Sequence, residues 1–229
     1  MSSPIVSSHY TGKLGRDYYH HRISRRTQDV QQYTARIFQR YIRKSDIVLD
    51  FGCGTGGILS SLDCAHRLGV EINEASVDDA RSAGIVVYAD AHDVPSASVD
   101  VVITHHALEH VPDPMACLFQ LLRVVKPGGI IIVVVPAEAP GARRFRTWRA
   151  VKDLHLYSWN PLSLGNLMAE AGFTIDSARI LSAGYSRFNR WLLRVPMFFR
   201  VAEKACAFAL GRFNTICIAR KSPEAYSSE

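Results

Sequence analysis

The spacing of apolar and polar positions changes repeatedly along the chain. Residues 1–28 are polar and without period, with Tyr10, Tyr18, Tyr19, His20 and His21 set among basic residues. That predicts an irregular arm. Residues 29–43 bring Val30, Tyr33, Ile37 and Tyr41 round at spacings of three and four, which predicts an amphipathic helix. The apolar run 47–51 is stopped by glycines and reads as a buried strand. Strands and helices then alternate: strand 66–71, helix 73–84 closed by glycine, strands 86–90 and 99–105, helix 114–125, and an all-apolar strand 129–136 ended by proline. This order predicts an α/β fold, a mostly parallel sheet with helices on both faces.

The last third reads differently. Residues 143–148 suggest a loop or irregular helix, 161–173 a helix with a glycine cap, and 174–183 and 214–221 two further strands. A two-residue turn would join adjacent antiparallel strands, so residues 185–213 are an insertion. Pro196 should split it into two helices. The expected organisation is an N-terminal arm and helix over 1–44, on the lid side, followed by one domain over 45–229.

Composition narrows the class. With 48% hydrophobic and 21% charged residues, the 229-residue chain can bury a core, which excludes a disordered or fibrous protein. The five cysteines form no CxxC pair, which argues against a disulfide framework or a structural zinc site and for a reducing cytoplasm. The first residues lack an apolar run, so no cleaved signal peptide is expected. No run of about 20 apolar residues is present, so no simple spanning helix is expected either.

The net charge of +6 is unevenly spread. Residues 1–50 carry net +5, residues 51–139 net −7 and residues 140–221 net +10. The middle and the flanks are therefore expected to do different jobs.

Candidate chemistry begins at Asp50-Phe51-Gly52-Cys53-Gly54-Thr55-Gly56-Gly57, a glycine turn between a strand and a short helix. Such glycines expose backbone N–H groups and let a ligand come close. Gly52, Gly54 and Gly57 fit G-x-G-x-x-G, and Glu71 ends the next strand. By spacing alone this fits a nicotinamide or flavin dinucleotide site, or a tight turn with no ligand.

The segments further on carry a resemblance. VLDFGCGTGG, GVEIN, Asp90 in ADAHDVP, VDVVITHHALEHVPDP and the KPGG turn follow one another over about residues 45–181. In that order and spacing they resemble class I S-adenosylmethionine-dependent methyltransferases, of the small-molecule, quinone or glycan type. The resemblance implies a Rossmann-like, doubly wound seven-stranded sheet with the last strand antiparallel and a helical insertion before it. It implies S-adenosylmethionine as cofactor. Asp50, Gly52 and Gly54 would surround its amino acid end. Glu71 would accept from the ribose hydroxyls, with Ile72 against the adenine. Asp90 and Ala91 would lie by the adenine amino group, and His105 near the sulfonium. The acidic middle of the chain suits such a cation.

Methyl transfer from a sulfonium is an in-line displacement in which positioning can suffice. A base is needed only for a protonated acceptor such as a hydroxyl, and histidine is the natural candidate. His106, just past the fourth strand, and His155, in a stretch similar to H-L-x-x-[WF] of relatives, are the two candidates. A plain hydrogen-bonded role is the alternative for both. His110 is expected to pack or cap. The pairs His20-His21 and His105-His106 are adjacent, unlike the helical i, i+4 pairs of zinc sites, so no metal is expected.

Tyr18 and Tyr19 are candidates for a lid over the site, or for packing of the arm. Arg143, Arg144, Arg146, Arg149 and Lys152 suggest an anionic acceptor, or a solvated face. The insertion interleaves Arg187, Arg190, Arg194, Arg200, Lys204 and Arg212 with Phe188, Trp191, Met197, Phe198, Phe199 and Phe208. That is an interfacial membrane signature, with a cap over the pocket or a dimer contact as alternatives. The expectation is a cytoplasmic enzyme, at the inner membrane surface if the insertion binds lipid. It would O-methylate a small or lipid-linked anionic acceptor. An RNA methyltransferase, a non-catalytic cofactor-binding scaffold and a dinucleotide oxidoreductase are the other readings.

Overall fold

A computed structural model describes residues 8–24, 26–138, 154–185 and 196–223. Seven strands form one sheet in the order β3-β2-β1-β4-β5-β7-β6. They are β1 (Ile47–Phe51), β2 (His66–Val70), β3 (Val86–Tyr88), β4 (Val99–His105), β5 (Val125–Pro136), β6 (Phe173–Ser182) and β7 (Phe213–Lys221). Strands β1 to β5 pair in parallel, and β7 runs antiparallel between β5 and β6. This is the mostly parallel sheet that the alternation predicts, in the doubly wound, Rossmann-like form that the resemblance implies.

The period of two explains how the central strands serve two cores. Leu49, Val102, Ile131, Val133 and Cys217 face one core, with the helices α5 (Pro114–Val124) and α6 (Pro161–Glu170) behind them. Val48, Val101, Ile103, Ile132 and Val134 face the other, with α2 (Gln28–Gln39), α3 (Gly57–Ser60) and α4 (Glu74–Ser82). A strand buried on both faces needs apolar residues throughout, hence the unbroken run in β5. β5 begins earlier than expected, at Val125, and takes in the KPGG turn.

The arm is not irregular. It forms a 3₁₀ turn at Ser8–Tyr10, α1 (Gly12–Tyr18) and a π-helical turn at Tyr19–Ile23. The reason is docking rather than periodicity. A Cβ on Gly15 would lie 2.2 Å from the Tyr10 carbonyl oxygen, so only glycine lets this turn close. The Gly15 carbonyl accepts a 2.8 Å bond from Asn73, the N-cap of α4. Helix α7 (Pro196–Leu210) starts at the predicted breaker, Pro196. A proline is tolerated in the first turn of a helix. The preceding half of the insertion lies outside the described residues.

Candidate active site

The carboxyl ends of β1, β2 and β4 open onto one cleft holding about 1180 Å³ of empty space, part of it open to solvent. Its floor is the glycine turn. Gly52 and Gly54 adopt φ of +78° and +55°, a region that strains other residues. A methyl group on Gly52 would sit 2.5 Å from the Ala107 Cβ. On Gly54 the nearest atom would be Ile23 Cγ2 at 3.9 Å, because that side of the turn faces the cleft. The Gly52 and Cys53 N–H groups both donate to the Val70 carbonyl, tying the turn to β2.

Two carboxylates sit at this floor. Glu71 accepts from the Gly54 N–H at 2.7 Å and from the Asn73 N–H at 2.8 Å. Burial pushes its carboxyl up, and those backbone donors hold it back. Asp50 is buried beneath the turn, and its Oδ1 has no hydrogen-bond partner. Burial, then the Glu71 charge, raise it well above the usual carboxylate range; Arg26 pulls the other way.

The side wall follows β3. Asp90 caps the 3₁₀ turn Ala91–Asp93 by accepting from the His92 N–H at 2.8 Å. Arg123 of α5 clamps this turn from behind. Its guanidinium donates to the carbonyls of Ala91 at 2.8 Å, His92 at 3.1 Å and Val94 at 2.9 Å. Ile72, Asp90 and Ala91 line the cleft here.

The roof comes from the arm: Tyr10, Tyr18, Ile23 and Arg26, with Gln31 of α2. Tyr18 stands edge-on to Tyr10, ring centroids 5.0 Å apart. Tyr19 lies outside the cleft lining. Its hydroxyl donates to Asp79 of α4 at 2.5 Å and it lines a neighbouring hollow, because the π-helical turn rotates it off the cleft. Its bond with that carboxylate raises its own pKa.

Histidines gather at the mouth past β4. His105 is buried at Nδ1 without a partner, and burial, then the Arg26 charge, lower it to about 3, so it is neutral. His106 adopts φ of +58°, strained for a residue with a side chain. Its Nδ1 lies 3.4 Å from Glu109 Oε1 and its Nε2 3.2 Å from Asn214 Oδ1. His110 Nδ1 meets the Tyr10 hydroxyl at 2.6 Å and the Leu154 carbonyl at 3.2 Å. His155 stacks edge-on against His110, with centroids 4.9 Å apart.

Residues 19–178 match the family model described as "Methyltransferase domain". The chain belongs to the class I S-adenosylmethionine-dependent methyltransferases. It is 37% identical over 151 residues to the ubiquinone biosynthesis O-methyltransferase of Pseudomonas aeruginosa, covering 56% of this chain and 64% of that protein. It is 32% identical over 116 residues to the 27-O-demethylrifamycin SV methyltransferase of Amycolatopsis mediterranei, covering 43% of each. The fold is similar to that of a methyltransferase structure from Thermotoga maritima, with a TM-score of 0.64, 17% identity and coverage of 92% and 97%. The chain spans about half the length of the curated relatives it matches.

Membership decides between the readings that the glycine turn left open. The cofactor of this methyltransferase is S-adenosylmethionine, not a dinucleotide. The cleft fits such a group: an orphaned buried Asp50 oxygen suits an ammonium group, and the open side of Gly54 leaves room beside it. Two partly desolvated carboxylates suit a cation. Gly52, Gly54, Glu71, Ile72, Asp90, Ala91, His105 and His106 all border the cleft, with Asp50 beneath it. His155 stands behind His110. Arg143 and Arg144, with the rest of that basic cluster, lie outside the described residues.

Sequence reasoning missed Arg26, Asn73 and Arg123. Asn73 announces itself only as a helix cap. Arg26 and Arg123 carry no local signal, since their partners are far along the chain. Cys53 and Cys117 also line the methyltransferase cleft, but burial raises both thiols, which leaves them inert as nucleophiles.

Proposed function

We propose that this methyltransferase acts on an oxygen of an anionic, amphiphilic small molecule, with His106 as the base. The observation that carries this reading is the setting of His106. It lines the cleft, is held in a strained backbone conformation, and has Glu109 at one ring nitrogen and Asn214 at the other. A carboxylate at Nδ1 and an amide oxygen at Nε2 both stabilise the protonated imidazole that forms when the ring takes a hydroxyl proton. When bound, the cofactor supplies an electrophilic methyl group.

Around it the chain's own residues do the rest. Tyr10, Tyr18 and Ile23 exclude water from above, and Asp50 and Glu71 orient the cation from below. His105, held neutral, adds no positive charge beside a sulfonium. The P. aeruginosa relative's name as an O-methyltransferase supports oxygen as the acceptor atom.

The choice of an amphiphilic acceptor rests on α7. Met197, Phe198, Val201 and Phe208 are 59–79% exposed, with Arg200 and Lys204 also exposed. Apolar and cationic side chains together suit an anionic lipid surface or a lipid-linked acceptor. No helix among the described residues is long and apolar enough to cross a membrane.

Methyl transfer from labelled cofactor into fractionated cell extract tests the reading. Label in an acidic, solvent-extractable ether or ester is expected. Label in RNA, or on nitrogen or carbon alone, would overturn it.

A further inference from the structure

Three side chains, among them the carboxylate beside His106, stand together past β4. Donor atoms of Glu109, His110 and His155 all lie within 4.8 Å of one another. The Glu109 side chain is fully buried, and its Oε1 is 3.8 Å from His110 Nε2. We propose that these three residues bind a divalent transition metal ion of the zinc class.

The donor set fits that class. Two imidazoles and a carboxylate are borderline ligands preferred by zinc and its neighbours over magnesium or calcium. They match the His₂Glu triad of open zinc sites, where three protein ligands leave the fourth position to water or substrate. Zinc bonds of about 2.0–2.1 Å place tetrahedral donors about 3.3 Å apart. The cluster therefore needs a contraction of about 1.5 Å at its widest separation, within reach of torsions in the Glu and His side chains.

The surrounding contacts are those a metal site requires. A ligating imidazole is held by a bond from its other nitrogen to a carbonyl, carboxylate or hydroxyl. His110 has this arrangement: its Nδ1 meets the Leu154 carbonyl and the Tyr10 hydroxyl, leaving Nε2 toward Glu109. The backbone carrying His155 is tied to the backbone carrying Glu109. The Leu156 and Tyr157 N–H groups donate to the Glu109 carbonyl at 2.8 and 3.3 Å, and the Tyr157 hydroxyl donates to the Pro112 carbonyl at 2.8 Å. The two ligand-bearing segments, some 45 residues apart in sequence, are thus already fixed relative to each other. The adjacent histidine pairs visible in the sequence are not the ones gathered here.

A metal at this place would join the turn after β4 to the segment after β5. Its fourth position would be available to an oxygen of the acceptor. That second role rests on the acceptor reading above; the binding itself does not.

The test uses the full chain, stripped with a chelator and titrated with Zn²⁺ by calorimetry and with Co²⁺ by visible absorption, without any acceptor. One ion per chain at micromolar affinity or tighter is expected, with tetrahedral d–d bands for Co²⁺. His155→Ala and Glu109→Gln should each weaken binding at least tenfold, while S-adenosylhomocysteine affinity stays within threefold. His155 is only partly buried, so its variant decides if Glu109→Gln fails to fold. No saturable binding at one ion per chain, or an affinity unchanged by His155→Ala, would overturn the proposal. Failure of the O-methylation reading would leave the titration result intact.

Discussion

The floor and the roof of the cleft are made in opposite ways. The floor, from Asp50 to Gly57 and at Glu71, is built from short contiguous stretches whose backbone borders the cleft. Gly52 and Gly54 supply φ values that other residues resist, and their N–H groups are fastened to β2 and to Glu71. The roof is built from a polar, aperiodic stretch that is helical only because it is docked. Asn73 joins the two, since its N–H donates to Glu71 and its side-chain amide to Gly15. The Glu71 carboxylate and helix α1 thus share one residue. The lesson is that a floor of backbone geometry is written locally, whereas a roof of side chains is written by what it touches.

The sharpest way to separate catalysis from binding is His106→Ala. Loss of a general base costs about 10²–10⁴ in kcat. Cofactor affinity, set by the floor, should stay within threefold in calorimetry. An equal fall in both would place His106 in the floor and break the division proposed here.

Next in size is Glu71→Ala. Hydrogen bonds to a charged group contribute about 1.5–3 kcal/mol, so S-adenosylhomocysteine affinity should drop about 10- to 150-fold. The glycine turn also loses the acceptor for the Gly54 N–H. Arg123→Met tests whether the side wall needs its clamp. Three carbonyls lose a charged donor, and an affinity loss of about tenfold is expected. Thermal unfolding should change less than it does for a substitution in the core.

The pH dependence follows from the directions at the floor. Asp50 and Glu71 both titrate above their ordinary values because burial disfavours their charge. A cationic ligand favours the ionised forms and lowers both, so binding releases protons and affinity rises from acidic to neutral pH. For the empty protein the sign is the reverse. Raised carboxyls contribute stability at low pH, and that contribution fades as pH climbs through their folded values. Calorimetry of S-adenosylmethionine in two buffers of different ionisation enthalpy measures the released protons. Proton uptake would contradict the assignment.

The smallest effect probes the joint. Asn73→Ala removes the N-cap of α4 and the tether of α1, costing about 1–2 kcal/mol of stability. Cofactor affinity should fall about threefold, less than for Glu71→Ala. A larger fall would make the roof, not the floor, the principal cofactor holder.

The sequence by itself determined the sheet, the order of β1 to β5, the insertion before β7 and nearly all of the floor. Strands buried on both faces must be continuously apolar, and turns with positive φ favour glycine, so both leave marks that need no partner to be read. Only the tertiary structure decided the roof, the Arg123 clamp, the turn of Tyr19 toward Asp79 and the meeting of Glu109, His110 and His155. The helicity of residues 8–23 depends on Asn73, roughly sixty residues on, and His155 reaches His110 through a segment laced to the Glu109 carbonyl. No periodicity records such contacts, because they hold together positions that the chain brings near only once the sheet has formed.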